Sequence, residues 1–551
     1  MVSRRTSNLI FFFAFAAILL AMHWPLLMLP FHWDELGQFV PAALDLYRDG
    51  SFVPHSTLPN VHPPGVMLIL AVVWKVFGFS ILSSRLTMLA IATMGVYLSF
   101  LLATRLSRKS PDAPAFAAVV FLIAAPLFYT QSMMVLLDMP AMTLTVLALL
   151  LFLDERYAAC ALATVALVLV KETAISTPMV FGAWLLFREK RVREALYFLA
   201  PAVAVGLWLM ELHHATGHWL GNDEFARFNV SQSLGFSHIV YAVGRRIYSH
   251  FLSDGHFLGT AAVFAGWRLL RGKEWAIAGL VAIAQTAVVT LFGGAVLDRY
   301  MLPVLPILYT AFAVAASAWS PRVRLSVQAV MVVLFLLGWV WNPPVPFPYE
   351  NNLAMVDFVR LQQTAAGYLE DHAAHQRIAT AWPLTDALIH PEFGYVRQPL
   401  NLTAVTGGVR LANIARLNPK DFDLLVMYSA EWSVKGRILD IHPIRALVRT
   451  FLDPNINATE DEIRETLGFV PVLRWTRGGQ WIEIYRPLQP PAAIAGYSSA
   501  PRTFSSSAAS VNGFASKRAP IGTFSSPVNP EMNRVLRLGA DCCMRRASSG
   551  P

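Results

Sequence analysis

Between residues 9 and 341 the chain returns repeatedly to long apolar runs, and no other property limits its fold as strongly. The runs lie near 9–30, 85–104, 113–130, 138–153, 157–170, 174–187, 195–212, 256–268, 275–293, 300–318 and 325–341. A helix standing upright in a bilayer needs roughly 20 apolar residues. Several runs are shorter, so their ends are placed only to within a few residues. The chain is 55% hydrophobic and 14% charged, where soluble domains carry about 25% charge. No soluble fold of 551 residues buries that much apolar surface, so the expected class is an α-helical multi-pass membrane protein. MVSRRTSN and the run after it resemble a signal peptide. That run is too long and lacks a small-residue cleavage site, so it reads as a retained anchor.

One more run, PPGVMLILAVVWKVFGF at 63–79, is decided by charge. If it does not cross, alternate short loops hold fifteen basic residues, among them Arg4, Arg105, Lys109, Arg156, Arg191, Arg268, Lys273 and Arg322. The opposite, longer loops hold eight. The positive-inside rule then puts the N-terminus in the cytoplasm. Counting 63–79 as a span reverses every later loop. It is therefore read as an interfacial or re-entrant helix, leaving about eleven spans. The formal charge of +9 is not a nucleic-acid signal, because seven basic residues against two acids beyond residue 490 supply +5 of it. Of three cysteines, Cys160 lies in an apolar run and Cys542 and Cys543 are adjacent in the tail. No disulfide framework follows.

This orientation puts FHWDELGQFV, 31–40, outside the cytoplasm. Its carboxylates, Asp34 and Glu35, come directly after the first span, where an acid is costly unless it meets water, a partner or a substrate. The same face collects Asp138, Lys171, Glu172, Asp223, Glu224, Asp298 and Arg299. Each alone is explained by helix capping or snorkelling. Together they mark a substrate site.

After Trp341, NPPVPFPYENN reads as a proline-rich linker. Residues 350–488 regain soluble composition, with a helical pattern over MVDFVRLQQTAAGYLEDHA and strand-like runs RIATAW, DFDLLVMYS and QWIEIYRP. A small extracytoplasmic α/β domain is expected there, and a disordered tail over 489–551. The chain thus divides into a membrane domain at 1–341, with a first loop at 31–84, then 342–488 and the tail.

The order of these features resembles the GT-C superfamily of membrane glycosyltransferases. The nearest branch is that of bacterial relatives of protein O-mannosyltransferases and of the transferase that adds aminoarabinose to lipid A. The shared pieces are Asp34-Glu35, HPPG at 62–65, SSRLTMLAIATMGVYL at 83–98 with Arg85, LLDMPAM at 136–142, KETA at 171–174 and DRYMLPVLPIL at 298–308. They cover roughly residues 1–340. Two positions depart from the aminoarabinose branch: Gly37 stands where it has an arginine, and His62 where it has a lysine. Both are basic groups attributed there to donor phosphate or acceptor, so the departure argues against lipid A modification.

The resemblance implies transfer of a sugar from a polyprenyl-phosphate donor to an extracytoplasmic protein, lipid or polysaccharide, with inversion. Asp34 is the implied base, and Glu35 positions the acceptor or its neighbours. A carboxylate suits the task because it need only accept a proton as the new bond forms. Lys171, Arg299, Arg245, Arg246 and His62 are candidates for the donor phosphate, Arg as a planar fork and Lys as a point charge. Asp138 and Arg85 are supporting candidates. HHATGHWLGNDE at 213–224 has metal-like spacing between His214 and His218, but Gly217 disfavours the helix that zinc would need. No metal is assigned and no cofactor is required. The rival readings are a transporter or flippase, which calls for polar residues through the depth of the spans, and a non-catalytic scaffold built on 342–488.

Overall fold

The computed structural model describes residues 4–110, 114–231, 233–343, 347–429 and 457–488. The tail 489–551, expected to be disordered, lies outside them, as do Cys542 and Cys543. Residues up to Arg486 form one compact unit.

Helix α1 (Arg4–His23) leads through a short turn into the first loop, which carries helix α2 (Val40–Arg48) and helix α3 (Gly65–Phe77). Helix α4 (Ile81–Leu106) follows; its 26 residues reach about 39 Å. Ser80 caps it, accepting from the Ser83 backbone in a reciprocal capping box. Helix α5 (Ala115–Ala124) breaks at Ala125, which is extended, because Pro126 opens helix α6 (Pro126–Gln131) and disfavours helix before it. Helix α7 (Asp138–Leu153) begins at the LLDMP motif. Helix α8 (Tyr157–Val170) ends at Lys171, whose extended backbone turns its side chain out of the helix line. Among the described residues six helical stretches are long and apolar enough to cross a membrane: Leu9–Leu26, Ile81–Leu106, Val192–Thr216, Lys273–Leu291, Asp298–Ala318 and Pro321–Gly338.

The polar ends of these helices sort into two groups. At one end Arg105 pairs with Asp154 and Glu274, Arg191 lies 3.1 Å from Glu155, and Lys273 lies 2.8 Å from Glu189. At the other end stand the first loop, Lys171, Asp298 and Glu350. Helix α3 starts and finishes at this second end. A Cβ on Gly65 would lie 2.4 Å from the Leu169 carbonyl oxygen, just before Lys171. Past its far end, Phe79 meets Phe31 of the first loop at 6.4 Å between ring centroids.

The C-terminal part holds five strands, β1 (Ile378–Thr380), β2 (Leu402–Ala404), β3 (Leu424–Tyr428), β4 (Phe469–Arg477) and β5 (Gln480–Pro487), in the order β2-β1-β3-β5-β4. Strand β1 is parallel to β2 and β3, and β5 runs antiparallel to β3, with Leu425 opposite Tyr485. Gly478 and Gly479, both at positive φ, make the tight turn between β4 and β5. Helix Ala354–His372 packs its apolar face on this sheet and on the first loop. One apolar core runs without interruption from Phe15 in α1 through the first loop to Ile484 in β5. That continuity lets the C-terminal part shape the site.

Candidate active site at the first loop

Asp34 opens a turn of wide helix, Glu35–Phe39, that runs on into α2. Neighbours on a helix point about 100° apart, so Asp34 and Glu35 reach different partners. Glu35 is fully buried and meets Arg85 through both carboxylate oxygens, with Oε2 at 3.0 Å from Nη2. It also accepts from the backbone N–H of His32 at 2.7 Å and of Val135 at 2.5 Å. Arg85 donates in addition to the carbonyls of Met133 and Pro30, at 3.0 and 3.1 Å. Two buried charges are tolerable only when paired and hydrogen-bonded in this way. The pair pins the first loop to α4 and to the connection before α7. Glu35, expected beside Asp34 to position the acceptor or its neighbours, is buried in this structure, where it is engaged by Arg85 and holds the loop. Arg85, expected as a supporting group, is its other half.

Asp34 pairs through Oδ2 with Arg299 Nη2, and its side chain stays 15% exposed. Arg299 Nη1 lies 2.6 Å from Glu350 Oε2, and its Nε lies 3.4 Å from Asp138 Oδ2. Asp138 pairs in turn with Lys171, whose ammonium sits 4.2 Å above the Tyr300 ring. Lys171, Asp138, Arg299 and Asp34 thus form one chain of alternating charge, with Glu350 as a side branch. Both Arg299 amino groups are occupied by carboxylates, so the guanidinium here holds Asp34 and Glu350 and is not an open phosphate fork.

Arg245 and Arg246 lie one step away and gather on Asp298. Arg245 Nη2 is 2.7 Å from Asp298 Oδ2, and Asn351 donates to the same oxygen at 2.6 Å. Arg246 donates to the Leu297 carbonyl at 2.7 Å. Its Nε and Nη2 are buried and meet no hydrogen-bond partner among the described residues. Two facing dipeptides, Asp298-Arg299 and Glu350-Asn351, hold the two halves together. His62 takes a separate position, with Nδ1 2.9 Å from Glu172 Oε2. It lines a narrow cleft with Gln38, Phe39, Asn60, Pro64 and Met67. Burial pushes the Glu172 carboxyl up, but the neighbouring His62 and Lys171 outweigh it and hold it below the usual range.

Sequence reasoning missed three residues. Glu350 was passed over as linker, although it is the one acid between Asp298 and Asp357. Tyr300 lies beneath Lys171 and Arg299. Trp382 packs on Gly37, where an added Cβ would stand 2.7 Å from the indole Nε1. His32, buried beside Trp33 and Phe358, is pushed down to about 4 by burial, against the pull of Glu350, Glu35 and Asp34. At 213–224, His218 Nδ1 lies 2.9 Å from Asp223 on the surface. Among the described residues no group of three or more His, Cys, Asp or Glu is placed to hold a metal ion.

The bundle of apolar helices, with an acidic first loop at one end and a following α/β part, is a fold that this chain shares with solved membrane-protein structures. The crystal structure of ArnT from Cupriavidus metallidurans bound to undecaprenyl phosphate matches at 16% identity, covering 86% of this chain and 97% of that one, with a TM-score of 0.52. ArnT in the apo state matches at 16% identity over 88% and 98%, with a TM-score of 0.50. The oligosaccharyltransferase AglB from Archaeoglobus fulgidus, in complex with an inhibitory peptide and a dolichol-phosphate, matches at 11% identity over 77% and 69%, with a TM-score of 0.41. No family model matches the sequence, and no curated protein does.

Proposed function

We propose that the protein is a membrane glycosyltransferase that moves a sugar from a polyprenyl-phosphate carrier to a hydroxyl on the non-cytoplasmic side. The observation that carries this reading is Asp34: a partly exposed carboxylate, held by a buried arginine, at the charged end of a GT-C fold. In the proposed step the acceptor hydroxyl gives its proton to the free oxygen of Asp34. Its oxygen forms the new bond to the anomeric carbon, and the bond from that carbon to the phosphate oxygen breaks, the electron pair leaving with the phosphate. Attack opposite the leaving group inverts the configuration. Arg299 holds and aims Asp34, and Arg246, whose Nε and Nη2 are buried beside Arg245, takes the phosphate together with Lys171. His62, held by Glu172, borders the cleft between the first loop and α3.

The solved relative with undecaprenyl phosphate supports a donor of that chemical class. Alternation of basic loops supports eleven spans in the cytoplasmic membrane, with the N-terminus inside and residues 342–488 outside. The test is Asp34→Asn in isolated membranes. Mass spectrometry of envelope glycoconjugates is expected to show one sugar lost with the chain absent and equally lost in the variant. Full glycosylation by Asp34→Asn membranes ends the assignment of the base.

A further inference from the structure

Trp33, the residue before Asp34, has φ of +50°. A bulky side chain in the left-handed region is strained by about 1–3 kcal/mol and persists only where its surroundings hold it. What surrounds Trp33 comes from the C-terminal part. Trp382 meets it edge to face with ring centroids 4.7 Å apart, and Phe358 lies at 5.9 Å. Trp382 is itself fixed on three sides. Asp386, four residues on, interacts with its indole. Tyr428 donates its hydroxyl to the Trp382 carbonyl at 2.5 Å. Gly37, one turn along from Asp34, leaves room for the indole, since any side chain there would collide with it.

We propose that Trp382 is a positioning residue for Asp34: from the C-terminal part it locks Trp33 in its strained backbone and so aims the carboxylate at Arg299. Gly37 is then required as the floor on which the indole rests. The value of this for catalysis rests on Asp34 being the base, but the placement itself is testable without any substrate.

The experiment is carbodiimide labelling of carboxylates in the full chain in detergent, read by peptide mass spectrometry. Trp382→Ala is expected to raise labelling of Asp34 by about two- to tenfold, the range that the loss of one aromatic pair allows. Buried Glu35 should stay unlabelled, which certifies the fold. Gly37→Ala should raise Asp34 labelling in the wild-type background and add nothing in Trp382→Ala, where its obstacle is gone. Trp382→Phe, which keeps a ring against Trp33, should return labelling to near the wild-type level. Unchanged Asp34 labelling in Trp382→Ala with Glu35 protected overturns the proposal, as does an equal effect of Gly37→Ala in both backgrounds. Should Trp382→Ala expose Glu35 as well, Trp382→Phe decides: a rise at Asp34 with Glu35 protected overturns it, and wild-type labelling upholds it. Activity of Asp34→Asn is read separately, so failure of the base and failure of the positioning device are distinguishable.

Discussion

Arg299 carries the heaviest demand of any single side chain, because one guanidinium faces Asp34, Asp138 and Glu350. A planar fork with fixed N–H directions meets two carboxylates at once, whereas an ammonium is a point charge. Arg299→Lys is therefore expected to insert and fold yet lower kcat by about two orders of magnitude, the scale of losing an aligned general base, with little change in the donor's KM. Glu35 belongs to a different class. Its removal leaves Arg85 buried and unpaired, which costs on the order of 3–5 kcal/mol, so Glu35→Ala should fail by thermal unfolding of detergent-solubilised protein before any kinetic defect is measurable. Asp34 and Arg299 were legible because charges at membrane depth are rare and each demands a reason. The partners of the two carboxylates were not, since adjacent letters carry no record of which direction each side chain takes, Asp34 toward Arg299 and Glu35 toward Arg85.

At the scale of elements, close approach of backbones explains Gly65 better than any local turn. Gly65 opens α3 against the Leu169 carbonyl, and a carbonyl in α8 has no rotamer by which to retreat. Gly65→Ala should lower stability by about 1–3 kcal/mol through overpacking and disturb Lys171 two residues beyond the contact. A lowered unfolding midpoint together with reduced activity is the expected pair of results. The first loop also titrates. Because burial holds His32 near pH 4 while the unfolded chain protonates near 6.5, only the unfolded state gains a proton between these values. Stability is thus fully present above pH 6.5 and falls as pH drops toward 4, by an amount on the order of 3 kcal/mol. Unfolding midpoints at a fixed scan rate should decline across that window, and the decline should flatten in His32→Gln. Helices α4, α7 and α8 were legible from apolar length. The break between α5 and α6 at Ala125-Pro126 was read as continuous, since hydrophobicity alone passes over a proline.

Over the whole molecule, the first loop, α3 and the C-terminal part make one end, and the arginine-rich short loops make the other. Single cysteines at Ser56 and Ser80, introduced after replacing Cys160, Cys542 and Cys543, should react with an impermeant maleimide from outside intact spheroplasts. Cysteines at Lys109 and Lys190 should react only after the membrane is opened. Labelling of Ser56→Cys and Ser80→Cys from opposite sides would make α3 a span and overturn the topology. A chain stopped after Trp341 loses Glu350, Phe358 and Trp382 together, and is expected to insert in the membrane without transferase activity.

Composition and periodicity alone pointed to a chain of many apolar helices, to a basic set of short loops opposite the first loop, and to the acidic pair as a candidate. These are properties of single residues and their spacing, because transfer of apolar surface from water acts on each run independently. Only the folded chain decided that a proline-rich linker delivers Glu350 to Arg299, that Glu35 is occupied by Arg85, and that an indole from residue 382 rests on Gly37. Such contacts join residues as much as 345 positions apart, and a buried charge finds its partner through the packing of every element between them.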